Sequence, residues 1–172
     1  MTTFTQTISP ACRRRLHVQG YDKFSDSELN EFKYGIRFAY ALCITSVALG
    51  LILNSIPILL FTTLIAFAGA FPPYHPFDYL YNYGVRHTLG KPKIPPRTRQ
   101  GRFACGIASV WLAATIYLLY IGYTLTANLL GVALFAVGAL VASTDICIPS
   151  KIYNALFRRN QNIAGESTPT KA

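Results

Sequence analysis

Two stretches of the chain carry no charged side chain, Phe38 to Tyr74 and Phe103 to Thr144. Each is entered through the same tripeptide, Arg37-Phe38-Ala39 and Arg102-Phe103-Ala104. Each is left through a proline, a Tyr-Asn pair and an arginine: Pro76, Tyr81-Asn82 and Arg86, then Pro149, Tyr153-Asn154 and Arg158. A helix needs about 20 apolar residues to cross roughly 30 Å of hydrocarbon. The stretches have 37 and 42 residues. As single helices they would run about 55 and 63 Å, too long for one crossing. Each therefore reads as a helical hairpin. Asn54-Ser55-Ile56-Pro57 breaks the first, and Gly122-Tyr123-Thr124 with Ala127-Asn128 breaks the second. The predicted spans are 35–53, 57–74, 102–121 and 126–144.

Charge placement orients these spans. Charged residues are 13% of the chain, against about 25% in an ordinary soluble domain. Of sixteen Lys and Arg, six precede the first uncharged stretch, six lie between the two stretches, and four follow the second. The hairpin tips carry none. The positive-inside rule puts both termini and the central loop in the cytoplasm, with Tyr117, Tyr120 and Tyr123 facing outward as interface aromatics. A soluble bundle would leave this segregation a coincidence. The net charge of +9 lies beside apolar spans, which points to anionic lipid headgroups rather than nucleic acid. The headgroup-facing set is Arg13, Arg14, Arg15, Lys91, Lys93, Arg97, Arg99, Arg158 and Arg159. The start of the chain has no apolar stretch of the kind a cleavable signal needs.

The expected fold is all-α: an integral membrane four-helix bundle of two tandem hairpins in the same orientation, with short interfacial helices on the cytoplasmic side. Residues 1–24 form a polar basic segment and 25–86 the first repeat. A basic proline-rich loop follows at 87–101, the second repeat at 102–159 and a disordered tail at 160–172. Ser25-Asp26-Ser27-Glu28 fits a capping box, and Leu29, Phe32 and Ile36 recur at helical spacing after it. Pro76 and Pro149 each suit the first turn of an interfacial helix. The loop Gly90 to Arg97 should be extended, because proline disfavours helix at the residue before it. It reads as a connector lying on lipid, or as a surface for a partner. Ala66/Ala70 and Gly138/Ala142 are small-residue pairs suited to close helix packing. A transport path between the halves would want polar residues at mid-membrane, and the spans offer only Thr, Ser, Asn54 and cysteines.

Groups with chemistry gather at the cytoplasmic ends of spans two and four: His75-Pro76-Phe77-Asp78 and Asp145-Ile146-Cys147-Ile148-Pro149-Ser150. Asp78 and Asp145 are expected to bond Arg37 and Arg102, or to cap the helices after Pro76 and Pro149. The sharper reading makes Cys147 a thiol activated by a helix N-terminus, with His75 as proton acceptor and Cys105 as resolving partner; Cys43 lies deeper. A metal site from His75, Asp78, Asp145 and Cys147 is disfavoured by its single His and mixed donors, and no cofactor is expected.

The stretch Asp145-Ile-Cys-Ile-Pro-Ser-Lys-Ile-Tyr-Asn154, together with Asn82-Tyr-Gly-Val-Arg86 before a basic proline loop, resembles a bacterial four-helix membrane family. It is the domain of unknown function numbered 4395, and the resemblance covers about residues 20–160. It implies the bacterial inner membrane and carries no established activity. Some members are encoded near thioredoxin-like or sulfurtransferase-like genes, which favours a thiol role for Cys147. The leading expectation is an accessory subunit or scaffold without an enzymatic role, binding a membrane partner. A thiol/sulfur redox protein centred on Cys147, Cys105 and Asp145 is the alternative, and a carrier of a small molecule between the repeats comes third.

Overall fold

The computed structural model describes residues 8–158. Among these the chain is helical without strands. Helix α1 (Pro10–Val18) is followed by α2 (Asp26–Ile52) and α3 (Ile56–Ala68). Next come α4 (Pro76–Leu80), a π turn (Tyr81–Val85) and α5 (Arg86–Leu89). Then follow α6 (Arg99–Tyr120), α7 (Thr124–Thr144), α8 (Ile148–Tyr153) and a second π turn (Asn154–Arg158). Three helices, α2, α6 and α7, are long and apolar enough to cross a membrane. α3 is apolar but has only 13 residues, about 20 Å at 1.5 Å per residue.

That length differs from the expected span 57–74, and local chemistry gives the reason. The helix reaches Ala68, Gly69 caps it, and Pro72 and Pro73 push the residues before them out of the α region. Apolar sequence runs on to Tyr74, but the helix does not. The other boundaries follow their signals. Ser25 and Glu28 form the capping box of α2. Thr98 caps α6 by accepting from Gly101 N–H at 3.1 Å, so the helix starts at Arg99, three residues before Arg102. The tips turn through Asn54 (φ 45°) and Gly122 (φ 87°); Asn128 lies inside α7 and reaches Asn54 Oδ1 at 3.2 Å, tying tip to tip.

α2 packs against α3 and α7, and α6 packs against the same two helices. Between them sits a core of Val47, Leu51, Leu59 and Leu112. A second core lies at the end away from the tips, built from Leu16, Tyr21, Leu29, Phe32, Ile36, Tyr81 and Ile94. Two parts of it differ from expectation. The basic N-terminal segment forms α1, with Ser9 as cap and Pro10 in its first turn. The proline-rich loop is extended but docks on the protein: Ile94 is buried, and its N–H donates to Asn82 Oδ1 at 3.0 Å. Gly35 permits that docking, since a Cβ there would stand 2.3 Å from Ile94 Cγ2. Asn154, the counterpart of Asn82 at the second exit, bonds Val18 O and Gln100 instead.

Candidate functional site

The two exits from the apolar stretches meet the rest of the protein through one motif in two settings. At the first, His75 caps α4: its Nδ1 accepts from Phe77 N–H at 3.2 Å, and Asp78 accepts from His75 N–H at 2.9 Å. Asp78 also takes a two-pronged bond from Arg97, Nε and Nη2 each at 2.7 Å. The pair is sealed, with side-chain exposures of 0% and 2%. The Arg97 guanidinium lies 4.8 Å from the centre of the Tyr40 ring, within cation–π range. Paired geometry and a full set of bonds are what make a buried ion pair tolerable.

At the second exit Asp145 ends α7 in the left-handed region, φ 61°, which Asp tolerates better than most residues. Its carboxylate holds Arg37 in the same two-pronged way, through Nε at 2.7 Å and through Nη2. α1 covers this pair. Cys12 Sγ donates to Asp145 Oδ2 at 3.2 Å, Gln19 to Asp145 O at 2.8 Å and Arg15 to Thr144 O at 2.7 Å. Burial and the Asp145 bond push the Cys12 thiol up from its ordinary value.

Of the expected partners, Arg37 meets Asp145. Arg102 does not meet Asp78; it donates to the Phe71 carbonyl at 3.0 Å. Arg97, placed by sequence among the headgroup-facing bases, is the partner of Asp78, because docking of Ile94 draws the loop inward. Arg13, Arg14, Lys91, Lys93 and Arg99 are exposed, and Arg15 is half-buried against α7. The side chain of Arg158 and all of Arg159 lie outside the described residues, as does the tail from 160.

Between α2, α3, α6 and α7 lies a cavity of about 110 Å³. Cys43, Cys105 and Cys147 all line it, with His75 and Arg97 at one end. His75 Nε2 stands 3.8 Å from Cys43 Sγ. Since Nδ1 accepts from Phe77, the neutral ring carries its proton on Nε2 and donates toward Cys43 rather than accepting from it. Burial, helped by the Arg97 charge, lowers His75 to about 4. His75 is therefore neutral at pH 7, and the thiol it reaches is Cys43, not Cys147. Gly69 makes room for the ring: a Cβ there would stand 2.2 Å from His75 Cδ2. Cys147 occupies the cap position of α8 without making a cap bond. Burial pushes its thiol up, and Ser150 opposes this only in part. All four cysteines are free thiols. No group of three or more His, Cys, Asp and Glu among the described residues is placed to hold a metal ion.

A protein family described as a domain of unknown function (DUF4395) matches residues 33–158. The chain belongs to this family. The DUF4395 segment contains both ion pairs and the three cavity cysteines, whereas α1, with Cys12, Arg15 and Gln19, lies before it. No curated protein and no solved structure matches the chain.

Sequence reasoning missed Arg97 and the place of Cys43. The loop's charge reads as surface until its partner is known. Cys43 reads as too deep for a role at the exits, but the early end of α3 lets the chain turn back and insert His75 beside it.

Proposed function

We propose that this DUF4395 protein is a multi-pass protein of the bacterial inner membrane that acts by binding, as an accessory subunit or scaffold for a membrane partner. Its four apolar helices form a membrane bundle of two like-oriented hairpins, with termini and central loop on the cytoplasmic side. The observation that carries this reading is the belt of outward apolar side chains on α3, α6 and α7. Val110 is 72% and Leu125 76% exposed, joined by Phe61, Leu64 and Leu129. A surface of that kind in water marks an interaction site or an aggregation liability; in a bilayer it is the lipid-facing belt. At the basic end Asp78 is clamped by Arg97 and Asp145 by Arg37, which fits a rigid frame. Purification of the full chain from native membranes in mild detergent tests the subunit role. A stoichiometric membrane-protein partner that co-elutes supports it, and a chain that elutes alone contradicts it.

One observation favours a second reading: three thiols share one cavity with an imidazole. In that reading the protein handles thiol or sulfur chemistry through Cys147. Maleimide labelling across pH separates the two. Binding without chemistry requires Cys147 to stay unreactive at neutral pH, as its burial and raised pKa imply. Rapid labelling at pH 7, lost in Cys147→Ala, favours the thiol reading.

A further inference from the structure

A second, open depression of about 1010 Å³ lies on the outer side of α6. Phe67 and Phe71 from α3 and the chain just after it form one wall, and Trp111 and Leu130 close the far end. Trp111 is fixed there by its Nε1–H, which donates to Leu130 O at 3.0 Å. Gly106 and Ala114 keep the floor low. At the opposite end stand Arg99 and Arg102 in the first turn of α6. Arg99 is exposed, and Arg102 is steered to the rim by its bond to the Phe71 carbonyl. The groove is thus apolar along its length and cationic at one mouth. From Arg102 to Ala114 the helix rises roughly 18 Å, close to one leaflet of a hydrocarbon core about 30 Å thick.

We infer that this groove is a binding site for one anionic phospholipid of the cytoplasmic leaflet. Arg99 and Arg102 meet the headgroup phosphate, and one acyl chain lies between the aromatic wall and α6. The charge complementarity selects the occupant. A zwitterionic lipid would fill the apolar part but bring a quaternary ammonium beside its phosphate to a mouth that has two guanidinium groups and no carboxylate in its lining, while a free phosphate would use the arginines and leave the groove to other lipid tails. The inference rests on the membrane reading above, and the test keeps the two apart.

The experiment is native mass spectrometry of the full chain in mild detergent, titrated with phosphatidylglycerol, phosphatidylcholine or glycerol phosphate. The variants are Arg99→Gln, Arg99→Gln with Arg102→Gln, and Gly106→Leu, which fills the floor. Phosphatidylglycerol should be retained in preference to phosphatidylcholine, with a loss of about fivefold per arginine removed. Gly106→Leu should weaken it with the arginines intact. Arg99→Gln changes an exposed residue, so folding is not at risk in at least one variant. Equal retention of both lipids, unchanged in every variant, would overturn the inference, and so would full displacement by glycerol phosphate. A chain that fails to stay in membranes after carbonate extraction would overturn the membrane reading itself; a membrane-embedded chain without lipid preference overturns only the groove.

Discussion

The exits at Asp78 and Asp145 are two versions of one joint, a carboxylate clamped by an arginine where an apolar hairpin ends. They differ in how far water reaches them. Asp78 and Arg97 are enclosed, at 0% and 2% side-chain exposure, whereas Arg37 beside Asp145 keeps 26%. They also differ in what they join. Asp78 binds the central loop to the start of α4, a connection 19 residues apart in sequence. Asp145 binds the end of α7 to α2 and, through Cys12 and Gln19, to α1. The first is a closed lock within the DUF4395 segment, and the second is an open one completed from outside it.

The largest effect should come from breaking the closed lock. Arg97→Met leaves Asp78 buried without its cation and should cost about 3–5 kcal/mol, read as denaturant or thermal unfolding in detergent. Asp78→Leu combined with Arg97→Met should recover most of that loss, because a matched apolar pair leaves no stranded charge. If the double variant is as unstable as the single, something other than the stranded charge governs stability at this exit.

Acid should act next, through His75 at the first exit. His75 sits at about 4 in the folded protein and 6.5 as a free side chain. Above pH 6.5 both states are neutral and no penalty arises. As pH falls from 6.5 toward 4 the unfolded chain gains a proton that the folded chain does not. Stability should therefore fall in that window, by at most roughly 3 kcal/mol. His75→Asn, which keeps a capping side chain, should flatten the profile between those limits; an unchanged profile would reassign the sensitive group.

At the open lock, Asp145→Asn keeps a residue that accepts the left-handed backbone and removes only the charge. The expected cost is about 2 kcal/mol, smaller than at Arg97, and high salt should narrow the gap between variant and parent. Cys12→Ala removes a single weak donor from the same carboxylate. It should cost about 0.5–1 kcal/mol and leave the first exit untouched. A Cys12 effect as large as that of Asp145 would mean that α1, not Arg37, holds this joint.

How much of this is legible in the sequence varies from element to element for physical reasons. The hairpin turns at Asn54 and Gly122 and the start of α2 at Ser25 are legible because each depends on a few adjacent residues. Arg37 is legible as a partner for a carboxylate at one of the exits, but that it meets Asp145 depends on the packing of α2 against α7. The partner of Asp78 is not legible, because a basic residue in a proline-rich loop looks solvent-facing unless the docking of Ile94 on Gly35 is known. The signals for α1, Ser9 and Pro10, and for the end of α3, Pro72 and Pro73, are present. They are outweighed by the polarity of one segment and the unbroken apolarity of the other. The cavity that collects Cys43, Cys105 and Cys147 depends on packing among four helices, and no single spacing encodes it.

In the proposed topology the tips and the two locks lie on opposite sides of a membrane, and everything said of lipid and partner depends on that. Labelling of intact cells with a membrane-impermeant maleimide tests it, using Asn54→Cys at a tip and Lys91→Cys in the loop, on a background with Cys12, Cys43, Cys105 and Cys147 replaced by alanine. Asn54→Cys should label in intact cells, and Lys91→Cys only after the membrane is opened. Labelling of Lys91→Cys in intact cells with Asn54→Cys protected, or recovery of the chain in the soluble fraction, would contradict this topology.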